Sequence, residues 1–119
     1  MQMKSKTNPK ILERIQRNPY CMARNTESMD ILELLLRHED ADVRLAATCN
    51  PLITPRMLTT LARDRDNFVR YAVAAHPLTP TKILDLLIKD KEKIVRRGVS
   101  ENPITKPKKR AISFVHRSR

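Results

Sequence analysis

The chain has 119 residues, two cysteines, one glycine, eight prolines and a net charge of +11. This length suffices for one domain with its own core, and a hydrophobic content of 40% argues against a disordered chain. Two cysteines do not imply a disulfide framework, no apolar run approaches the roughly 20 residues that span a bilayer, and residues 1–10 lack the apolar stretch of a secretory signal. We therefore expect a single domain, cytoplasmic and away from membranes.

The positive charge is unevenly distributed along the chain. Residues 1–49 carry eight Lys and Arg against seven Asp and Glu, whereas residues 50–119 carry sixteen against six. Such asymmetry favours an acidic partner that touches the C-terminal half. The alternative is that the positive charge serves only to keep the protein soluble.

The first predicted elements are two helices within residues 1–25, which we interpret as a degenerate N-terminal repeat or cap. Apolar residues at helical spacing predict the first helix, and residues 18–23 predict the second. The residues that mark the first helix are Asn8, Pro9, Ile11, Leu12 and Ile15.

Residues 26–103 contain three clear copies of a 26-residue pattern, which predicts a repeat architecture. Equivalent positions in successive copies carry like side chains, and nothing in the pattern predicts a strand. The matched sets are Leu32, Leu58 and Leu84; Leu35, Leu61 and Leu87; Val43, Val69 and Val95; Ala46, Ala72 and Gly98; and Asn50, His76 and Asn102.

Each copy is predicted to form two short helices. Thr54 is a typical N-cap, Pro55 suits the first helical position, and Thr79-Pro80 is expected to repeat this start. Asp64 or Asp66 is expected to cap the second helix, which must end before Pro77. The turns next to the prolines favour short 3₁₀ geometry. Because neither helix can bury its apolar face alone, the pairs are expected to stack into an α-solenoid.

The segment from residue 104 to 119 is predicted to be a basic C-terminal capping helix or tail. Pro107 opens it, and Ala111, Ile112 and Val115 follow at helical spacing. Repeat arrays need atypical end units to close their cores.

Residues 50–58 (NPLITPRML), 61–64 (LARD) and 69–74 (VRYAVA) resemble the variant leucine-rich repeat family, a HEAT-like α-solenoid. Residues 76–80 (HPLTP) and 102–105 (NPIT) restate the pattern. The resemblance implies a right-handed superhelix of alternating α- and 3₁₀-helices and no enzymatic activity.

Some members of that family carry an iron–sulfur module, and some HEAT-like solenoids excise damaged bases. Two cysteines cannot supply the four thiolates that such a cluster takes, so we expect no cofactor. Four Tyr and Phe with no Trp argue against base excision, because a base held outside the stack needs aromatic or apolar faces.

Two sets of charged residues are candidates for function. Arg44, Arg70 and Arg96 each follow an acid (Asp40, Asp66, Glu92) by four residues, the favourable spacing for a helix pair. We interpret these six as a structural ladder, with contact to a ligand as the alternative.

The second set forms a basic edge predicted to bind a polyanion, although cations near helix ends also stabilise helices. Its members are Arg63, Arg65, Lys89, Lys91, Lys93, Arg97, Lys106, Lys108, Lys109 and Arg110.

The remaining polar side chains predict structural roles. Cys21 and Cys49 are expected to be buried thiols. His38, His76 and His116 do not have the spacing of metal ligands, so we expect no metal site. Because His76 shares its position with two asparagines, we expect it to form a hydrogen bond at a corner.

We therefore predict a non-enzymatic binding module that engages nucleic acid or another acidic partner through the basic edge. The edge lacks interleaved aromatics, so binding is expected to be sequence-neutral. The alternative is a protein-interaction scaffold that uses the groove formed by stacked second helices. An enzyme is the least favoured function, and the oligomeric state stays open.

Overall fold

The computed structural model describes residues 9–105, apart from the side chain of Ile11, and this part of the chain contains eight α-helices and no strand. The prediction of an all-α protein is thus confirmed for these residues. None of the eight helices is long and apolar enough to cross a membrane. They are α1 (Pro9–Arg17), α2 (Pro19–Asn25), α3 (Met29–Leu35), α4 (Ala41–Ala47), α5 (Pro55–Leu61), α6 (Asn67–Ala75), α7 (Thr81–Leu87) and α8 (Lys93–Glu101).

Helices α3, α5 and α7 are of equal length, and hydroxyl side chains cap the first two. The Ser28 hydroxyl accepts a hydrogen bond from the N–H of Ile31 at 3.3 Å, and the Thr54 hydroxyl accepts one from Met57 at 3.1 Å. Pro55 occupies the first helical position, where its missing N–H costs nothing. The predicted helix start at Thr54-Pro55 is therefore confirmed.

The predicted start at Thr79-Pro80 is wrong by one residue. Pro80 itself is the N-cap of α7, which has no side-chain cap. Thr79 is buried, and its hydroxyl donates a hydrogen bond to the carbonyl of Val73 at 2.6 Å. In the repeating pattern Thr79 is equivalent to Thr105, whereas Thr54 is equivalent to Pro80. The two Thr-Pro pairs therefore differ by one position in the pattern.

Helices α4, α6 and α8 begin after an acidic residue. The Asp40 carboxylate accepts a hydrogen bond from the N–H of Asp42 at 2.9 Å, and Asp66 accepts from Phe68 at 2.8 Å and from Val69 at 3.1 Å. Asp66, and not Asp64, is thus the N-cap of α6. Glu92 precedes α8 but makes no such side-chain bond.

The expected alternation of α- and 3₁₀-helices is not found, since every helix in residues 9–105 is α-helical. Even the short helix α5 contains the i to i−4 bond of an α-helix, from the N–H of Leu58 to the carbonyl of Thr54 at 3.0 Å. Bonds of the i to i−3 type occur at helix ends, as from Asn50 to Ala47 at 3.1 Å. Such bonds tighten the last turn without adding a helix.

The described residues divide into two compact units, one ending at Ile53 and the other beginning at Thr54. In the first unit α2 packs against α4, and in the second unit α6 packs against α8. Residues at several equivalent positions of the pattern are buried alike. In the first unit the buried apolar residues include Leu32, Leu35, Val43 and Ala47; in the second they include Leu58, Leu61, Val69, Val73, Leu84, Leu87, Val95 and Val99.

The packing of α6 on α8 depends on the single glycine of the chain. A Cβ atom at Gly98 would lie 2.9 Å from Cβ of Ala74, 2.9 Å from Cδ1 of Tyr71 and 3.0 Å from the carbonyl oxygen of Tyr71. Real side chains do not tolerate such distances. The absence of a side chain at Gly98 therefore allows the two helices to approach closely.

Candidate functional site

Two loops of the second unit each carry two exposed basic residues. The α5–α6 loop (residues 62–66) contains Arg63 and Arg65, and the α7–α8 loop (residues 88–92) contains Lys89 and Lys91. All four side chains are exposed. We call these two segments the basic loops.

The side chain of Arg70 joins the basic loops. Its Nη1 donates a hydrogen bond to the carbonyl oxygen of Asp64 at 2.6 Å. Its Nε and Nη2 donate to Oδ2 and Oδ1 of Asp90 at 2.9 and 3.3 Å. Arg63 and Arg65 flank Asp64 in the sequence, and Lys89 and Lys91 flank Asp90. Because Arg70 binds both aspartates, the four flanking cations lie on two adjoining loops.

The ion pair between Arg70 and Asp90 is largely shielded from water, with each side chain only 11% exposed. Burial alone raises the pKa of the Asp90 carboxyl. The hydrogen bond from Arg70, the N–H of Glu92 and the positive charges of Arg70 and Lys91 outweigh burial, so this pKa lies below its usual value. Asp90 is therefore a carboxylate at neutral pH and keeps Arg70 in place.

The acids of the basic loops also bind main-chain N–H groups. Asp64 accepts a hydrogen bond from the N–H of Asp66 at 2.9 Å, and Asp90 accepts one from Glu92 at 2.9 Å. Asp66 caps α6. These bonds hold the two carboxylates against the main chain of their own loops, whereas the flanking Arg and Lys side chains are exposed to solvent.

The corresponding loop of the first unit has the same main-chain bond but different charges. Arg44 donates to the carbonyl oxygen of His38 at 2.7 Å and to that of Glu39 at 3.2 Å. However, this loop carries Glu39 where the basic loops have Arg65 and Lys91. A bound arginine with a cation on both sides of the loop aspartate is therefore found in the second unit, whereas the first-unit loop has only Arg37 at the equivalent positions.

The structure places two further predicted residues on α8. Lys93 is the exposed first residue of that helix, directly after a basic loop. Arg97 lies one turn further and pairs with Glu101 at 3.4 Å, and Glu101 also accepts a hydrogen bond from Tyr71 at 3.0 Å. This bond raises the pKa of the Tyr71 hydroxyl. The charge of Arg97 is therefore partly neutralised by Glu101.

The remaining predicted members of the basic edge are Lys106, Lys108, Lys109 and Arg110, and they lie outside the described residues.

The proposed ladder arginines make main-chain contacts in all three positions. Arg44, Arg70 and Arg96 each donate to a carbonyl of the loop that precedes their helix, on His38, Asp64 and Asp90 respectively. The ion pair of Arg70 joins it to Asp90 in the following loop rather than to Asp66.

Asp40, the acid that precedes Arg44 by four residues, is bound by a tyrosine. The hydroxyl of Tyr20 donates to Oδ2 of Asp40 at 2.8 Å, which lowers the pKa of Asp40 and raises that of Tyr20. The charge of Arg44 lowers the pKa of Asp40 further, to a smaller extent. Asp40 therefore ties α2 to the start of α4 within the first unit.

Phe68 is the surface residue that the sequence analysis missed. It is the second residue of α6, and its side chain is 54% exposed, the largest value among the exposed large apolar residues of the described part. A signal was present in the pattern, because the equivalent residue of the preceding copy is Asp42, which also faces solvent. Phe68 therefore adds one exposed aromatic side chain to the segment that follows the α5–α6 loop.

Cys21, Cys49 and His76 were predicted to have structural roles. Cys21 and Cys49 are free and exposed, so the prediction of buried thiols is wrong. The corner bond expected of His76 is confirmed, since its Nδ1 accepts a hydrogen bond from the N–H of Leu78 at 3.1 Å. Among residues 9–105, no group of three His, Cys, Asp or Glu side chains could hold a metal ion.

No family model, curated protein or solved structure matches this chain.

Proposed function

We propose that the protein is a non-enzymatic module that binds nucleic acid or a related polyanion at the basic loops. The observation that carries this function is the bond of Arg70 to both loops, which brings Arg63, Arg65, Lys89 and Lys91 onto adjoining segments. Closely spaced cations bind phosphates by releasing condensed counterions from the nucleic acid. The shielded ion pair holds the backbone of the loops, so less backbone entropy is lost on binding.

Lys93 extends this surface from the α7–α8 loop onto α8. None of these contacts reads a base edge, so we expect the electrostatic part of binding to be independent of sequence.

Filter binding of short DNA and RNA, and of heparin, tests the proposal at low salt. The informative variant is Lys89→Glu with Lys91→Glu. A matched control is Arg56→Glu with Lys82→Glu, which changes the net charge equally on exposed residues at the other ends of α5 and α7. The first variant should bind at least about tenfold more weakly, and its salt slope should fall by roughly 1.5 to 2. The control should stay within about threefold of the native protein, since it acts only through long-range charge.

Two results would contradict the proposal. One is failure of the native protein to retain any of the three ligands at low salt. The other is an equal loss of affinity in both variants, which would show that net charge alone attracts the ligand. A partner that survives nuclease and high salt would instead favour the protein-interaction scaffold.

We further infer that the repeating unit is a pair of helices and that the chain is a right-handed α-solenoid of the variant leucine-rich repeat family. The starts of α3, α5 and α7 at residues 29, 55 and 81, and of α4, α6 and α8 at 41, 67 and 93, support this inference because they are equally spaced. The like burial of residues in equivalent positions also supports it. Small-angle scattering that fits a spherical particle would contradict this inference.

A further inference from the structure

The start of α6 holds an exposed aromatic ring beside a basic loop. Asp66 accepts hydrogen bonds from the N–H groups of Phe68 and Val69, which fixes the first turn of the helix. Val69 is fully buried, whereas the preceding Phe68 side chain is 54% exposed. Phe68 closely follows Arg65 in the sequence, so one short segment presents both a cation and a ring.

The other two described aromatic residues, Tyr20 and Tyr71, make hydrogen bonds within their own units. The hydroxyl of Tyr20 binds Asp40, and the hydroxyl of Tyr71 binds Glu101. Atom Cδ1 of Tyr71 lies 2.9 Å from the position that a Cβ atom at Gly98 would occupy, so this ring belongs to the contact between α6 and α8. The side chain of Phe68 has no polar atom, so its exposure is not explained by a hydrogen bond of the kind that Tyr20 and Tyr71 make. A single exposed apolar residue is common, and Ile88 in the α7–α8 loop is also 44% exposed. Phe68 differs from Ile88 in carrying an aromatic ring.

We propose that the basic loops take single-stranded nucleic acid and that one base stacks on the ring of Phe68. This inference rests on the proposed function and names its ligand class. In a duplex the faces of each base are covered by the neighbouring bases, so an exposed ring has no base face on which to stack. In a single strand the face of a base is accessible, and stacking on an aromatic side chain adds to the phosphate contacts of Arg65 and Lys91. The same stacking accepts any base.

Tryptophan fluorescence gives a direct test, because the native chain contains no Trp. Phe68→Trp places one indole at the proposed stacking position. Leu78→Trp is the matched control, since Leu78 is also exposed (48%) but lies beyond the opposite end of α6. Each variant is titrated with a single-stranded oligothymidine, a duplex of equal length and heparin. We expect oligothymidine to quench Phe68→Trp, while Leu78→Trp keeps its intensity and heparin quenches neither.

Affinity measurements separate stacking from simple apolar contact. Phe68→Ala and Phe68→Leu should both bind oligothymidine roughly tenfold more weakly, because neither side chain has an aromatic face. Their affinities for heparin should not change. Thermal melting of both variants establishes that the fold is kept, as expected for a residue whose side chain is more than half exposed.

The outcomes distinguish failure of the stacking role from failure of the proposed function. Native affinity for oligothymidine in Phe68→Leu, equal quenching of the two Trp variants, or equal affinity for duplex and single strand would overturn the stacking role, and heparin binding would then leave the proposed function standing. If the native protein binds none of the three ligands, both proposals fail.

Discussion

Arg70 and Asp90 form a two-bond ion pair that joins two loops of the second unit. The pair has a structural and a functional consequence. It links the starts of the two long helices of the second unit, α6 and α8, and it fixes the loops that carry the exposed cations. Its loss should therefore affect both stability and polyanion binding.

Arg70→Met should lower the free energy of unfolding by about 2–3 kcal/mol, because it leaves the shielded Asp90 carboxylate without its partner. Urea denaturation followed by circular dichroism measures the change. Arg97→Met is the matched control, since Arg97 is 71% exposed in its pair with Glu101 and should cost less than about 1 kcal/mol. Equal costs for the two variants would contradict the structural importance of the Arg70 pair.

The Asp90 carboxyl should make stability depend on pH in the acidic range. Its pKa is lower in the folded protein than the value of about 3.9 expected for the unfolded chain, so the folded state binds a proton less readily. The corresponding stabilisation is fully present above about pH 5 and is lost as the pH falls through the folded pKa. Asp90→Asn lacks this contribution. The difference in unfolding free energy between native protein and variant should therefore shrink from pH 6 to pH 3, and a constant difference would contradict the assignment.

Helix positions and the apolar core could be predicted from the sequence, because burial follows a simple periodicity. Leu35, Leu61 and Leu87 are spaced equally and are all buried. The start of α7 was misplaced because the pattern of a single Thr-Pro pair took precedence over the repeat spacing, which aligns Pro80 with Thr54. A Thr-Pro pair is compatible with more than one helix start, whereas the 26-residue spacing fixes a single start for each helix.

The candidate site could be predicted only in part. The identity of its cations follows from charge, but their proximity depends on the bond from Arg70 to Asp90, which no helical spacing predicts. The i to i+4 rule pointed instead to Asp66, whose carboxylate is engaged by the N–H groups of α6. A long side chain between two loops can reach several acids, and three-dimensional packing decides among them.

Gly98→Ala should destabilise the second unit by about 1–2 kcal/mol. The added methyl would lie 2.9 Å from Ala74 Cβ, so α6 and α8 must separate, and overpacking of this kind outweighs the gain of up to about 1 kcal/mol in helix propensity. Ser100→Ala, on the exposed face of the same helix, gains propensity without a clash and should change the stability by less than about 0.5 kcal/mol. Thermal denaturation of both variants compares them. A native or raised melting temperature for Gly98→Ala would show that the helices do not pack so closely.

Because the amide of Asn102 is buried, the cost of Asn102→Asp in unfolding free energy should depend on pH and be smaller under acidic conditions. Its Nδ2 donates hydrogen bonds to the carbonyls of Ala74 and His76 at 2.7 and 2.8 Å. Asn102→Asp replaces this donor with an oxygen that faces two carbonyls, which should cost about 3 kcal/mol at pH 7. The introduced carboxyl should have a raised folded pKa, so the cost should diminish as the pH falls below that value and the protonated oxygen donates one bond.

Urea denaturation at pH 7 and pH 4.5 tests this sign. Asn25→Asp is the control, because Asn25 is exposed at the end of α2 and the change should cost less than about 1 kcal/mol at either pH. A cost for Asn102→Asp that grows on acidification would contradict the hydrogen bonds assigned to Asn102.

Glu92→Asp should stabilise the protein by about 0.5–1 kcal/mol, because a shorter side chain can cap the start of α8. The residues that precede α4 and α6, Asp40 and Asp66, accept hydrogen bonds from the first turn of their helices, whereas Glu92 before α8 makes no such bond despite a similar backbone conformation. The charge is unchanged in this variant. Glu92→Gln isolates the charge, and it should be no more stable than the native protein because it keeps the longer side chain. Denaturation in urea ranks the three proteins, and an Asp variant no more stable than the native chain would show that the start of α8 cannot accept a side-chain cap.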